Sequence, residues 1–145
     1  MPPMRALLLL PLLAACAAPC PPGQQEASVA ELLFGRSIPG GGPGGGPGGG
    51  PGGGGTVSEA EWQGFLADTV TPAFPDGLTV QSAEGQWRGA DGTPQREAAN
   101  RLLLVLPGVD LAAAAERSGA LAEAYRSRFR QESVLRLHHS ACIAF

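Results

Sequence analysis

The chain has 145 residues, 43% of them hydrophobic, and 13 acidic against 10 basic side chains give it a formal charge of −3. Every basic residue is arginine, so Walker-type phosphate loops and Schiff-base chemistry, which need a lysine amine, are excluded. No basic stripe offsets the acidic balance, and nucleic acid is not an expected partner.

Residues 1–15 read as a lipoprotein signal peptide. Arg5 supplies a positive end, and Ala6 to Leu13 form an apolar run interrupted only by Pro11. That run falls short of the roughly 20 residues a membrane-spanning helix needs. Leu13-Ala14-Ala15-Cys16 resembles the lipobox of bacterial lipoproteins, in which the cysteine thiol is diacylated and becomes the first residue of the mature chain. The resemblance implies lipidation at Cys16 and, with Ala17 following, an outer-membrane location facing the periplasm. Two or more acyl chains hold a protein to a bilayer stably where one holds only marginally. Cys20 and Cys142 remain, and in an oxidising envelope compartment they are expected to form a disulfide. The alternative is Cys142 buried as a small hydrophobe with Cys20 free in the tether.

Residues 16–27 read as a tether and 28–145 as a single α+β domain with a disordered Pro/Gly-rich insertion over 39–55. A first strand is expected over Val29–Phe34, ending at Gly35. Pro-Gly-Gly-Gly then repeats four times from Pro39 to Gly54, a tract with no side chains to bury. Ser58 and Glu61 spell a capping box, with Val57 and Trp62 as the hydrophobic staple. Trp62, Phe65, Leu66 and Val70 make one helical stripe, which Pro72 is expected to end.

Phe74-Pro75-Asp76-Gly77 reads as a turn into a second strand, Leu78 to Trp87, with a bulge expected at Gly85. Ala90-Asp91-Gly92-Thr93 is a hairpin turn. Leu102–Leu106 are five aliphatic residues in succession, a third strand dry on both faces. Asp110 can cap a second helix whose stripe is Leu111, Ala115, Ser118, Ala122, Tyr125 and Phe129. Gly119 weakens that helix by about 1 kcal/mol relative to Ala, which points to close packing there. Arg126, Arg128 and Arg130 suit its C-terminal dipole. Ser133–His139 is a fourth strand, followed by an apolar tail, Ala141–Phe145.

The order β-α-β-β-α-β predicts a ferredoxin-like fold: an antiparallel four-stranded sheet with two helices on one face. The two strands apolar on both sides are the two that this topology makes central. Their other face needs a cover, for which the candidates are the C-terminal tail, a ligand or another copy of the chain. Trp87 shares parity with Thr79 and Gln81 and is expected on that open face.

Beyond Cys16, several segments carry a resemblance in order. They are Ala30-Glu31-Leu32-Leu33-Phe34-Gly35-Arg36, Ser58-x-x-Glu61-Trp62-x-x-Phe65, Thr71-Pro72-x-Phe74-Pro75-Asp76-Gly77-Leu78-Thr79-Val80, Gly85-Gln86-Trp87 and Tyr125-x-x-Arg128-Phe129-x-Gln131-Glu132-Ser133-Val134-Leu135. Together they resemble a family of bacterial lipoproteins catalogued as domain of unknown function number 3574, over nearly all of residues 28–145. The resemblance implies no established activity.

No catalytic, cofactor-binding or metal-binding set stands out. His138 and His139 are strand neighbours that point to opposite faces, so they cannot chelate one metal together. Glu84 and Glu132 could meet as an acid/base pair at one end of the sheet. The densest polar group is Arg36, Gln86, Trp87, Arg88, Gln131 and Glu132. Arg36 and Arg88 could pair with Glu84 or Glu132 as a structural network, or the group could form a rim that orients a small polar ligand. The expected function is therefore a lipid-anchored, non-enzymatic envelope module that binds a partner or itself. The alternative is a small cofactor-independent enzyme or ligand-binding homodimer of the dimeric α/β-barrel type.

Overall fold

The computed structural model describes residues 19–38, 55–88, 92 and 94–145, with Trp87 and Gln95 by backbone alone. The signal peptide, Cys16, the repeat 39–54 and most of the hairpin turn at 90–93 lie outside the described residues.

Strand β1 (Gln25–Gly35) starts three residues inside the expected tether. Two short strands, β2 (Ser37–Ile38) and β3 (Gly55–Thr56), pair with each other and hold together the two ends of the Pro/Gly insertion. Gly55, expected within the loop, is thus the first residue of β3. Helix α1 (Glu59–Phe65) begins at the expected capping box. Glu61 Oε2 accepts the Ser58 backbone N–H at 2.8 Å, and Ser58 Oγ accepts the Glu61 N–H at 3.3 Å. The Ser58 hydroxyl also donates to Glu61 Oε2 at 2.6 Å, and this bond first, then the one from the Ser58 N–H, holds the Glu61 carboxyl below its ordinary range.

Pro72 does not end the helix as expected. A π turn, Leu66–Val70, follows α1, and the Thr71 N–H reaches back five residues to the Leu66 carbonyl. The widened turn restarts the helix as α2 (Thr71–Ala73) with the proline in its first turn, where its missing N–H leaves no bond unmade.

Strands β4 (Thr79–Arg88) and β5 (Pro94–Pro107) form a hairpin, α3 (Leu111–Phe129) follows, and β6 (Leu135–Ile143) closes the sheet. The strand order is β4-β5-β1-β6 and each neighbouring pair is antiparallel, the ferredoxin-like arrangement expected. No bulge occurs at Gly85, because the ladder passes through Gly85↔Glu97 without a skipped residue. The third strand is far longer than its aliphatic core. β1 pairs with β5 only from Ala99 onward, so the β5 residues before it pair with β4 alone. That projecting ribbon buries little and left no apolar signal. The expected C-terminal tail is also corrected: Ala141–Ile143 continues β6 against Gln25–Ala27 and so does not fold across the sheet.

The core lies between the sheet and the helices. Ala30, Leu32 and Phe34 of β1 and Leu102, Leu104 and Leu106 of β5 meet Trp62, Phe65, Leu121, Tyr125 and Phe129. Phe34 is the hub, its ring centroid 4.7 Å from Tyr125 and 5.3 Å from Trp62 in tilted or edge-on geometry. The α3 stripe starts at Ala114 and includes Leu121, while Leu111 stays exposed. Gly119 lies under the exposed Arg136 side chain, whose guanidinium a Cβ there would meet at 2.8 Å and displace.

Tyr125 donates its hydroxyl to the Gly35 carbonyl at 2.9 Å, and burial pushes the phenol above its ordinary range. Tyr125→Phe should therefore cost about 1–2 kcal/mol at neutral pH in urea unfolding. A phenol whose value is raised on folding stabilises fully below its unfolded value and loses that stabilisation as pH climbs. The gap between native protein and variant should hence shrink once pH passes the ordinary 10.0.

Candidate functional site

Alternation along each strand decides what the uncovered face of the sheet displays. On β1 the core takes Ala30, Leu32 and Phe34, so Val29, Glu31 and Leu33 face the other way. Register carries this across: Glu31 lies opposite Leu103 on β5 and Leu137 on β6, and Leu33 opposite Arg101 and Leu135. The open face therefore combines Thr79 and Gln81 of β4, Arg101, Leu103 and Val105 of β5, the three β1 residues, and Leu135, Leu137 and His139 of β6.

Two features of this face matter. First, β6 is turned against the usual pattern. Its leucines point outward, 59% and 45% exposed at Leu135 and Leu137, while Arg136 and His138 point toward α3. His138 Nε2 shares a 2.7 Å hydrogen bond with Ser118 Oγ, and the Arg136 guanidinium lies over Gly119. Second, an ion pair sits in the middle of the apolar field. Arg101 donates from Nε to Glu31 Oε2 at 2.9 Å and from Nη1 to Gln81 Oε1 at 3.0 Å. The pair is half-buried before anything covers it. Partly desolvated ion pairs contribute little net stability, but under a cover they fix which groups meet which.

The polar residues singled out in the sequence do not gather into one rim. Arg36 bonds the Val57 carbonyl at 2.8 Å and Glu59 at 3.3 Å, fastening β1 to the start of α1. Its partner is thus Glu59 rather than Glu84 or Glu132. Gln86 lies on the projecting ribbon and accepts from Arg96 Nε at 3.1 Å. Arg88 reaches the Gly92 carbonyl at 3.4 Å. Trp87 stands in register with Gln95, and its side chain lies outside the described residues. Glu132 occupies the α3–β6 connection, where its carbonyl accepts from Arg126 at 3.1 Å. Glu84, Gln86, Arg96 and Glu97 line an open hollow of about 430 Å³ on the ribbon. Glu84 and Glu132 therefore sit on different elements, with no hydrogen bond joining them among the described residues.

The C-terminal arginines also have partners beyond the helix dipole. Arg128 holds Asp68 through two 2.8 Å bonds, tying α3 to the π turn and keeping that carboxyl below its ordinary range, after a Thr69 hydroxyl bond that lowers it more. Arg130 takes the left-handed C-cap position of α3. Glu97 was overlooked: its carboxylate covers Gly35, where a Cβ would lie 2.8 Å away, and accepts the Ser37 N–H at 3.3 Å.

Cys20 and Cys142 are bonded, their Cα atoms 5.5 Å apart. The pair joins the segment before β1 to the far end of β6, since Cys142 stands opposite Glu26.

Residues 29–145 match the family described as "Protein of unknown function (DUF3574)". The chain belongs to this family. Among solved structures, this DUF3574 domain resembles a phage SAM lyase in complex with S-methyl-5'-thioadenosine, with a TM-score of 0.56 at 16% identity, covering 82% of this chain and 90% of the lyase. The apo lyase gives 0.51 at 14% identity, covering 85% and 91%. CutA from Synechococcus elongatus gives 0.45 at 11% identity, covering 80% of each chain. No curated protein matches the sequence. At these identities the likeness is one of fold.

Reducing the disulfide opens a loop closed over a sequence separation of 122. Cys142→Ser should therefore lower unfolding stability by about 5 kcal/mol on the chain-entropy account, read by denaturant unfolding of oxidised protein against the variant.

Proposed function

We propose that this DUF3574 domain is a lipid-anchored, non-enzymatic module of the cell envelope that assembles through the open face of its sheet with a second copy of itself. The carrying observation is the orientation of β6. Alternation would let its leucines face α3 and its arginine and histidine face water; the register does the opposite. Exposed Leu135 and Leu137 join half-buried Leu33, Leu103 and Val105 around the buried Val29, and burying half a leucine side chain is worth about 1 kcal/mol. A second identical face suits it, because Glu31 and Arg101 give each copy both signs of charge at the centre. The lipobox-like Cys16 and the oxidised Cys20–Cys142 pair support an envelope location.

The test is mass in solution. Protein lacking residues 1–18 should run as a dimer by light scattering, and Leu135→Glu with Leu137→Glu should shift it to monomer with its far-UV spectrum unchanged. A monomeric parent protein would overturn the self-assembly. Cys16→Ser should move the full chain from the membrane fraction to the soluble envelope fraction.

A second reading keeps the dimer and puts a small polar ligand between the faces. The Glu31–Arg101–Gln81 group favours it, being polar and central in an apolar field. The fold shared with a lyase whose structure holds S-methyl-5'-thioadenosine makes that nucleoside the first probe. Thermal stabilisation by millimolar nucleoside, lost in Arg101→Ala, would favour this reading over the purely structural one.

A further inference from the structure

We propose that the pole of the domain carrying Cys20, Pro107, Leu111 and Phe145 rests on the membrane surface, with Leu111 and Phe145 dipped into the interfacial layer of the bilayer. The proposal depends on Cys16 carrying the acyl chains.

Sequence sets the leash. Between Cys16 and Cys20 lie four peptide steps, at most about 14 Å of fully extended chain. Without the disulfide the domain would hang from Gln25, where β1 begins, about 30 Å from the same cysteine. The Cys20–Cys142 bond moves the point of attachment onto the folded body itself, at the end of β6. One pole of the sheet is thereby held within reach of the headgroups, and the others are not.

That pole carries two exposed large hydrophobics beside the acidic Glu26 and Asp110. Register puts Pro107 and Ala141 level with each other on either side of Ala27. Leu111 follows Pro107 by four residues, at the start of α3, and Phe145 follows Ala141 by four, just past β6. Both side chains are exposed, Leu111 at 39% and Phe145 entirely. The Ser28 hydroxyl donates to the Val109 carbonyl at 2.6 Å and pins the connection that presents Leu111. Among the described residues the other two exposed large hydrophobics, Leu135 and Leu137, belong to the open face and are not needed here. Residues 19–27, 107–112 and 141–145 hold Glu26 and Asp110 and no arginine, so the contact is insertion of Leu111 and Phe145 with the two carboxylates left in water, and not attraction to anionic headgroups. Aromatic rings are at home at that depth.

The geometry has a consequence for exposure of the rest. β1 has 11 residues and spans about 35 Å, so Arg36, Glu132 and the β4–β5 ribbon stand at the end away from the bilayer. The open face then stands alongside the membrane, where two anchored copies can meet.

The experiment uses the acylated full chain in vesicles of phosphatidylethanolamine and phosphatidylglycerol. Phe145→Cys, Leu111→Cys and Glu132→Cys each carry an environment-sensitive fluorophore. Labels at 145 and 111 should be quenched by lipid-borne nitroxide several-fold more than the label at 132, and less by aqueous iodide. Equal access of iodide to all three positions, with the protein still vesicle-bound, would overturn the docked pole while leaving the anchor intact. Cys16→Ser protein that stays bound to vesicles would instead remove the anchor, and the proposal with it. Retention of the native disulfide is checked in each variant by its shift on non-reducing gels.

Discussion

Strand β1 cannot be wet on either side. Its core face holds Ala30, Leu32 and Phe34, and its other face holds Val29 and Leu33 around Glu31. As a central strand it takes hydrogen bonds from β5 and β6 on both edges. Everything else in the fold answers one part of that demand. The helices dry the first face, the aromatic cluster around Phe34 fills the space beneath them, and the disulfide clips the strand's start to the end of β6. The second face is left with an ion pair and a field of aliphatic side chains. An exposed, contiguous apolar patch in a folded domain marks an interaction surface more often than chance exposure does.

Much of this was legible in the residues. The capping box and staple placed α1, and the two doubly apolar runs identified the central strands and hence the strand order. The misses share a physical cause. Periodicity reports where side chains are buried, so it is silent about strand that buries nothing. The outer ends of β4 and β5 are such strand, and so is the end of β6, where Cys142 is bonded rather than packed. Pro72 misled for a different reason. A proline forbids one hydrogen bond, and a π turn upstream removes the need for it, which no local pattern in Leu66–Val70 announces.

The candidate site was legible only in part. Parity along one strand says which residues share a face, but not which face is covered. Gln86 and Arg88 bond to Arg96 and to the Gly92 carbonyl on the β4–β5 ribbon, away from Arg36 and Glu132, so the group does not form one rim. A better signal was present. Glu31 interrupts an apolar run on one central strand, and Arg101 immediately precedes the apolar run on the other. Two opposite charges bordering the driest strands of a small sheet demand each other. Reading them as a pair would have located the middle of the open face from sequence.

The inversion on β6 is the arrangement that local alternation alone does not explain. Leucine and arginine alternate at Leu135-Arg136-Leu137, so a strand with no obligation would turn its leucines to α3 and its arginine to water. Instead the Arg136 guanidinium lies over Gly119, and His138 shares a hydrogen bond with Ser118 of the helix. The polar residues are thus accommodated by specific partners on the covered side. A one-residue slip in the pairing of β6 would undo both arrangements and bury the leucines at once. Cys142 at one end and the Ser118–His138 hydrogen bond along α3 both match the observed register. The fold thereby holds Leu135 and Leu137 outward, on the face of the sheet that the helices leave uncovered.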